Sequence, residues 1–165
     1  MRIQRVVRHL LMTPWQVRRA FPRATLEAIE GAIKTSERAH AGQIRFAVDG
    51  ALHGPRLYQA QSPRERAIEV FAKLRMWDTE HRNGVLIYLL LADRAVEIIA
   101  DRGAHITVDS REWEGICRTM EADFRAGNYE AGVATGIHVV TQHLAKHFPR
   151  SGPSHRELPD TPVVL

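Results

Sequence analysis

Residues 83–103, NGVLIYLLLADRAVEIIADRG, decide how this chain folds. Val85 to Leu91 is an unbroken apolar run, and Ala95 to Ala100 repeats it with Glu97 admitted. Runs this short, rich in Val, Ile and Leu, suit buried strands better than buried helices. Only Ala92-Asp93-Arg94 separates them, so the second strand returns antiparallel to the first. A two-residue turn at Asp93-Arg94 pairs Ala92 with Ala95, Leu86 with Asp101 and Gly84 with Gly103. A strand that is apolar on both faces needs cover on both, which places 85–91 in the middle of a sheet.

Upstream, Ser62-Pro63-Arg64-Glu65 is a helix start: Ser62 caps, Pro63 takes the first position and Glu65 completes a capping box. That helix is expected to run to about Met76 and bury Ala67, Ile68, Phe71 and Leu74. Before it, QIRFAV (43–48) alternates polar and apolar residues as a strand does. Strand, helix, strand implies a right-handed crossover, with 43–48 parallel to 85–91. A further helix is expected from about Arg23 to His40, ended by Gly42. Downstream, Asp109 with Glu112 starts a helix carrying Trp113, Ile116, Cys117, Met120 and Phe124 on one face. Gly127 stops it, and Asn128 caps a last helix reaching Phe148. The spacing predicts a domain over 23–148 and a flexible, proline-rich tail over 149–165.

The chain has 165 residues, of which 44% are hydrophobic and 25% charged, with a net charge of +4. One domain accommodates that length. No apolar run approaches the ~20 residues of a membrane-spanning helix, and the N-terminal apolar pieces are too broken for a secretory signal. With the lone Cys117, these features point to a cytoplasmic protein without disulfides. Residues 1–25 hold six arginines and no acid, so the rest of the chain is slightly acidic. Within 1–22, Ile3, Val6, Val7, Leu10 and Leu11 fall at helix spacing with arginines opposite, and Thr13-Pro14 restarts a short helix. An amphipathic helix of this kind can lie on a membrane surface, but docking its apolar face onto the domain is the commoner fate and the one expected here. The basic helices also suit a protein partner, whereas no motif specifies nucleic acid.

In this register Asn83, Gly84, Asp101, Gly103 and His105 gather at one rim of the sheet, and Asp78 and Glu80 enter the same rim. Two accounts fit. Asn-Gly and Asp-x-Gly are ordinary turn chemistry. Alternatively, a carboxylate-rich rim suits a hard cation such as calcium or magnesium, with the glycines giving backbone access. Elsewhere chemistry is sparse. His143 and His147 lack a third metal ligand, Cys117 falls among core positions, and neither a Gly-x-Ser-x-Gly elbow nor a phosphate-cradling loop occurs.

NGVLIYLLLADRAVEIIADRG together with EWEGICRTMEADFRAGNYEAGVATGIHVV resembles the TPM domain family, over about residues 25–148. That family is known in bacteria and in a thylakoid-lumen phosphatase of plants. The resemblance implies an α/β fold, a three-layer α/β/α sandwich with a small central mixed sheet and helices on both faces. It also implies divalent-metal binding, calcium in particular, with acid phosphatase activity in some members and assembly or repair roles in others. Asn83 and Gly84 match the motif before the central strand, and Asp101 and Gly103 the turn after the return strand. Many relatives carry Gly-x-Gly there; here Ala104 and His105 follow Gly103, as in a short cytosolic bacterial branch. Two functions are expected. One is a non-enzymatic binding or assembly module using the N-terminal helices, any metal being structural. The other is metal-assisted phosphomonoester hydrolysis, with Asp78, Asp101 and Asp109 as metal ligands and His105 as acid or base.

Overall fold

The apolar run of the hairpin is the middle of a four-stranded sheet in the computed structural model, which describes residues 2–153 and 156–165. Strands β1 (Gln43–Asp49), β2 (Gly84–Leu90), β3 (Ala95–Ala100) and β4 (Val163–Val164) lie in the order β3-β2-β1-β4. As expected, β1 and β2 are parallel and β2 and β3 antiparallel. Every residue of β2 is buried, because its alternate side chains enter two different cores.

Val85, Ile87 and Leu89 face the larger core. It is closed by α3 (Arg23–Ser36), α7 (Ser110–Arg125) and α8 (Tyr129–His147). Leu86, Tyr88 and Leu90 face the smaller core. There, α4 (Pro55–Tyr58), α5 (Pro63–Lys73) and Leu158 supply the cover. These are the three layers of an α/β/α sandwich. The Ser62–Glu65 capping box forms as expected, with Glu65 N–H donating to Ser62 Oγ at 3.1 Å and Ser62 N–H to Glu65 Oε2 at 2.7 Å. Ile68, expected in the core, is half exposed.

The hairpin register differs from the expected one by two residues. Leu90 pairs with Ala95 and Leu86 with Ile99. Leu91–Asp93 forms a single 3-10 turn, and Arg94 (φ 52°) completes the reversal in the left-handed region. Leu91 and Ala92 belong to this buried turn, where Ala92 N–H donates to Gly50 O at 3.0 Å. A shift of two leaves every side chain on its expected face. It moves Asp101 out of the ladder, opposite Gly84, whose carbonyl accepts the Asp101 N–H at 2.8 Å. Asp101 then caps a short helix, α6 (Arg102–Thr107), where a turn was expected.

The expected flexible tail is a second correction. Leu158 and Asp160 are buried, and β4 pairs in parallel with Ala47 and Val48 of β1. Proline disfavours helix but not extended chain, and Leu158 covers apolar surface that α4 and α5 leave open. Ahead of α3 come α1 (Arg2–Leu11) and α2 (Pro14–Ala20), the second capped by Thr13 as anticipated, with Val17 of α2 in the larger core.

Candidate functional site

Gly84 and Gly103 stand where backbone crosses backbone. A Cβ on Gly84 would lie 2.2 Å from Met76 O, and one on Gly103 would lie 2.5 Å from His81 O and 2.7 Å from Arg82 O. The segment leaving α5 thus passes directly over the hairpin's open end. Asn83 is fully buried and ties three pieces together. Its Nδ2 donates to Ala41 O at 3.2 Å, its N–H donates to Thr79 Oγ1 at 3.2 Å, and its carbonyl accepts the Gln43 N–H at 3.3 Å.

The carboxylates proposed as metal ligands are each committed elsewhere. Asp78 is exposed and paired to Arg75 at 2.7 Å. Asp101 Oδ1 accepts the Arg102 N–H at 2.8 Å, while its Oδ2 is buried without a hydrogen-bond partner. Asp109 caps α7 by accepting the Arg111 N–H at 2.8 Å. Glu80 is exposed; its backbone N–H, rather than its carboxylate, contacts Glu157 Oε2 at 2.7 Å. His105 is exposed on α6 and borders a groove of about 640 Å³ between β3 and α7, shared with Arg64, Glu97, Trp113 and Cys117. Burial, and then Glu97, push the Cys117 thiol up to about 12, so it is no nucleophile near neutrality. Among the described residues no three His, Cys, Asp or Glu side chains form a group that could hold a metal ion.

A different polar cluster lies where the end of α3, the start of β1 and the C-terminal segment meet. Glu37, His40, Arg45 and Asp160 are all buried, and Arg156 pairs with Asp160 at 3.2 Å. Arg45 Nε is buried without a hydrogen-bond partner in the protein, Asp160 Oδ2 has only the Arg156 ion pair, and Glu37 and Asp160 lie against each other. Burial, and next the Asp160 carboxylate, push Glu37 from 4.5 up to about 7. Burial pushes His40 from 6.5 down to about 4. The signs are opposite. The native state keeps a proton on Glu37 that the unfolded chain has released, so this contribution falls as pH rises from 4.5 to 7. Native His40 stays neutral, so its contribution is lost as pH falls from 6.5 towards 4. Glu37→Gln is expected to remove only the first slope. Urea unfolding should find the variant more stable than wild type by about 1–3 kcal/mol near pH 8, with its stability still declining below about pH 6. Equal stability of the two proteins near pH 8 would contradict this account of Glu37.

At the C-terminal ends of β1 and β2, where open sheets commonly bind ligands, the chain's own side chains close the space. Asp49 pairs with Arg66 at 2.9 Å and accepts the Tyr88 hydroxyl at 3.3 Å. Asp93, in the hairpin turn, receives the N-terminal helix. Arg5 Nε donates to both of its oxygens at 3.1 and 3.0 Å, and Arg5 Nη2 to Oδ2 at 2.7 Å. His9 is fully buried; its Nδ1 accepts the Leu52 N–H at 2.9 Å, so the ring proton sits on Nε2, 3.0 Å from Asp93 Oδ1. Burial alone would raise Asp93, but Arg5 and His9 outweigh it and hold the carboxyl below its usual range.

This clamp reverses the expected docking of α1. Its inner face is Arg5, His9 and Val6, and only Val6 joins the core. The apolar residues expected to pack inward point out: Ile3 is 80% exposed, Leu11 68%, Leu10 61% and Val7 45%; Trp15 of α2 is exposed too, at 64%. Arg8 is exposed and pairs with Asp93 at 3.6 Å; Arg18 and Arg19 of α2 are exposed, and the Arg19 guanidinium lies 5.4 Å over the Trp15 ring. The apolar periodicity was readable from sequence. The counter-face of Arg5 and His9 was readable too, being four residues apart, but nothing local names Asp93 as their partner.

A small mixed sheet with helices on both faces, and a hairpin with glycine at each backbone crossing, make this an α/β/α sandwich protein. The TPM domain model matches residues 18–143, and the chain belongs to the TPM domain family. Helix α1 precedes the matched residues. The chain is similar to the BA42 protein of the psychrophilic bacterium Bizionia argentinensis, solved by NMR. The two are 30% identical over 86% of this chain and 92% of that one, with a TM-score of 0.75. The N-terminal domain of a P. gingivalis protein shares the fold at 20% identity, covering 79% of this chain and 82% of that one with a TM-score of 0.61. No curated protein matches the chain.

Proposed function

We propose that this TPM-domain protein is a non-enzymatic binding module that docks through the outward face of α1 and α2. The observation that carries it is the clamp: α1 is fastened by its polar side, so its apolar side is left free for a partner offering apolar surface and negative charge. Monomeric proteins rarely leave so many large apolar side chains together in solvent without a use for them. The test is fractionation of the full-length protein from its own cells, beside the Leu10→Asp/Leu11→Asp variant. Wild type is expected in a large or sedimenting fraction and the variant in the free fraction. Because both residues are exposed, the variant should unfold within about 0.5 kcal/mol of wild type. Identical fractionation of the two proteins would contradict the proposal.

Metal-assisted phosphomonoester hydrolysis has weaker support. A cation at the rim would have to draw Asp78 from Arg75, and Asp101 and Asp109 already cap helices. The buried, unpartnered Oδ2 of Asp101 and Oδ1 of Asn83 are the features there that favour a polar ligand among the described residues.

A further inference from the structure

We infer that the occupant of the outward α1–α2 face is an anionic phospholipid surface; this rests on the docking proposal above and specifies its partner. Three features select lipid over a second copy or a protein groove. First, the apolar side chains form a stripe rather than a groove: Ile3, Val7, Leu10 and Leu11 share one side of α1, and Trp15 of α2 is exposed as well. A helix whose apolar side is free and whose opposite side is bonded to its domain is oriented to lie in the plane of a membrane interface.

Second, the charge carried by α1 and α2 themselves has one sign. Arg18 and Arg19 are exposed, and the first 25 residues contain no acid; Arg8, though exposed, pairs with Asp93 at 3.6 Å. Two copies meeting through this face would bring arginines against arginines. A layer of lipid phosphates supplies the opposite charge to Arg18 and Arg19, with each side chain snorkelling to it. Arg19 stacked on Trp15 joins a cation to the aromatic residue type favoured at the headgroup boundary.

Third, the buried polar groups on the inner side of α1 are paired within the protein. Asp93 and Gln61 O take the Nε and Nη2 protons of Arg5, whose side chain still reaches solvent, and Asp93 and Leu52 N–H satisfy both nitrogens of His9. The helix can therefore approach the acyl boundary without stranding a buried polar side chain.

The experiment is co-sedimentation of the full chain with phosphatidylcholine vesicles and with vesicles in which a third of the lipid is phosphatidylglycerol. Binding is expected to the anionic vesicles, weakening as salt is raised. Leu10→Asp/Leu11→Asp and, separately, Arg18→Gln/Arg19→Gln should each reduce it by roughly tenfold or more. The emission of Trp15 should shift to the blue on binding, read against Trp15→Phe because Trp77 and Trp113 also emit. No sedimentation with either vesicle overturns the lipid assignment. If the protein then proves to be a dimer that Leu10→Asp/Leu11→Asp dissociates, a second copy is the occupant and the docking proposal stands. If it is a monomer and fractionates from cells as that variant does, both fall.

Discussion

Gly84→Ala is expected to abolish cooperative folding or to cost more than about 3 kcal/mol, a large share of the roughly 5–15 kcal/mol that holds a domain of this size. The new methyl carbon would sit 2.2 Å from Met76 O, a backbone atom that cannot rotate away. Gly84 cannot yield either, since it begins the central strand opposite Gln43 and its carbonyl accepts the Asp101 N–H. Relief would require parting β2 from the segment that leaves α5. Gly115→Ala in α7 is the matched control: nothing lies within 4 Å of its added carbon, and helix propensity favours alanine there by about 1 kcal/mol. Denaturant unfolding should therefore give opposite signs for the same chemical change. A Gly84→Ala protein as stable as wild type would mean that Met76 O and β2 do not meet as described.

The two glycines that frame the hairpin were legible in the sequence as residues needing explanation, but spacing alone left two explanations standing. Close backbone approach accounts for both Gly84 and Gly103, and helix capping accounts for Asp101. The strand order around β2 was legible because its apolar run is uninterrupted, and a strand buried on both faces has no other position in a small sheet. The register was not, because Leu91 and Ala92 are buried in a turn and so resemble strand residues. β4 escaped notice because two paired residues in a proline-rich segment carry no periodicity. The Glu37–Asp160 cluster was beyond reach for a simpler reason: its two carboxylates come from opposite ends of the chain.

Asp93→Ala is the second substitution with a large expected effect, and its effect should be local. Removing the carboxylate leaves Arg5 and the fully buried His9 without their shared partner. Stranding a buried charge in this way costs about 3–5 kcal/mol when the structure cannot respond. Here it can respond, because α1 touches the body chiefly at the hairpin turn and α4 and has only Val6 in the core. The helix should detach, and ten residues are too few to stay helical alone in water. The sandwich itself should remain folded.

Amide hydrogen exchange across α1 tests most directly the claim that this helix is held by its polar face and offers its apolar one. In wild type the α1 amides are expected to be protected. In Asp93→Ala they should exchange faster by roughly a hundredfold or more, the equivalent of losing about 3 kcal/mol of docking. In Leu10→Asp/Leu11→Asp they should keep their protection, since those side chains touch solvent. The reverse pattern, with α1 protected in Asp93→Ala and exposed in Leu10→Asp/Leu11→Asp, would show that the apolar face packs inward and would contradict the account.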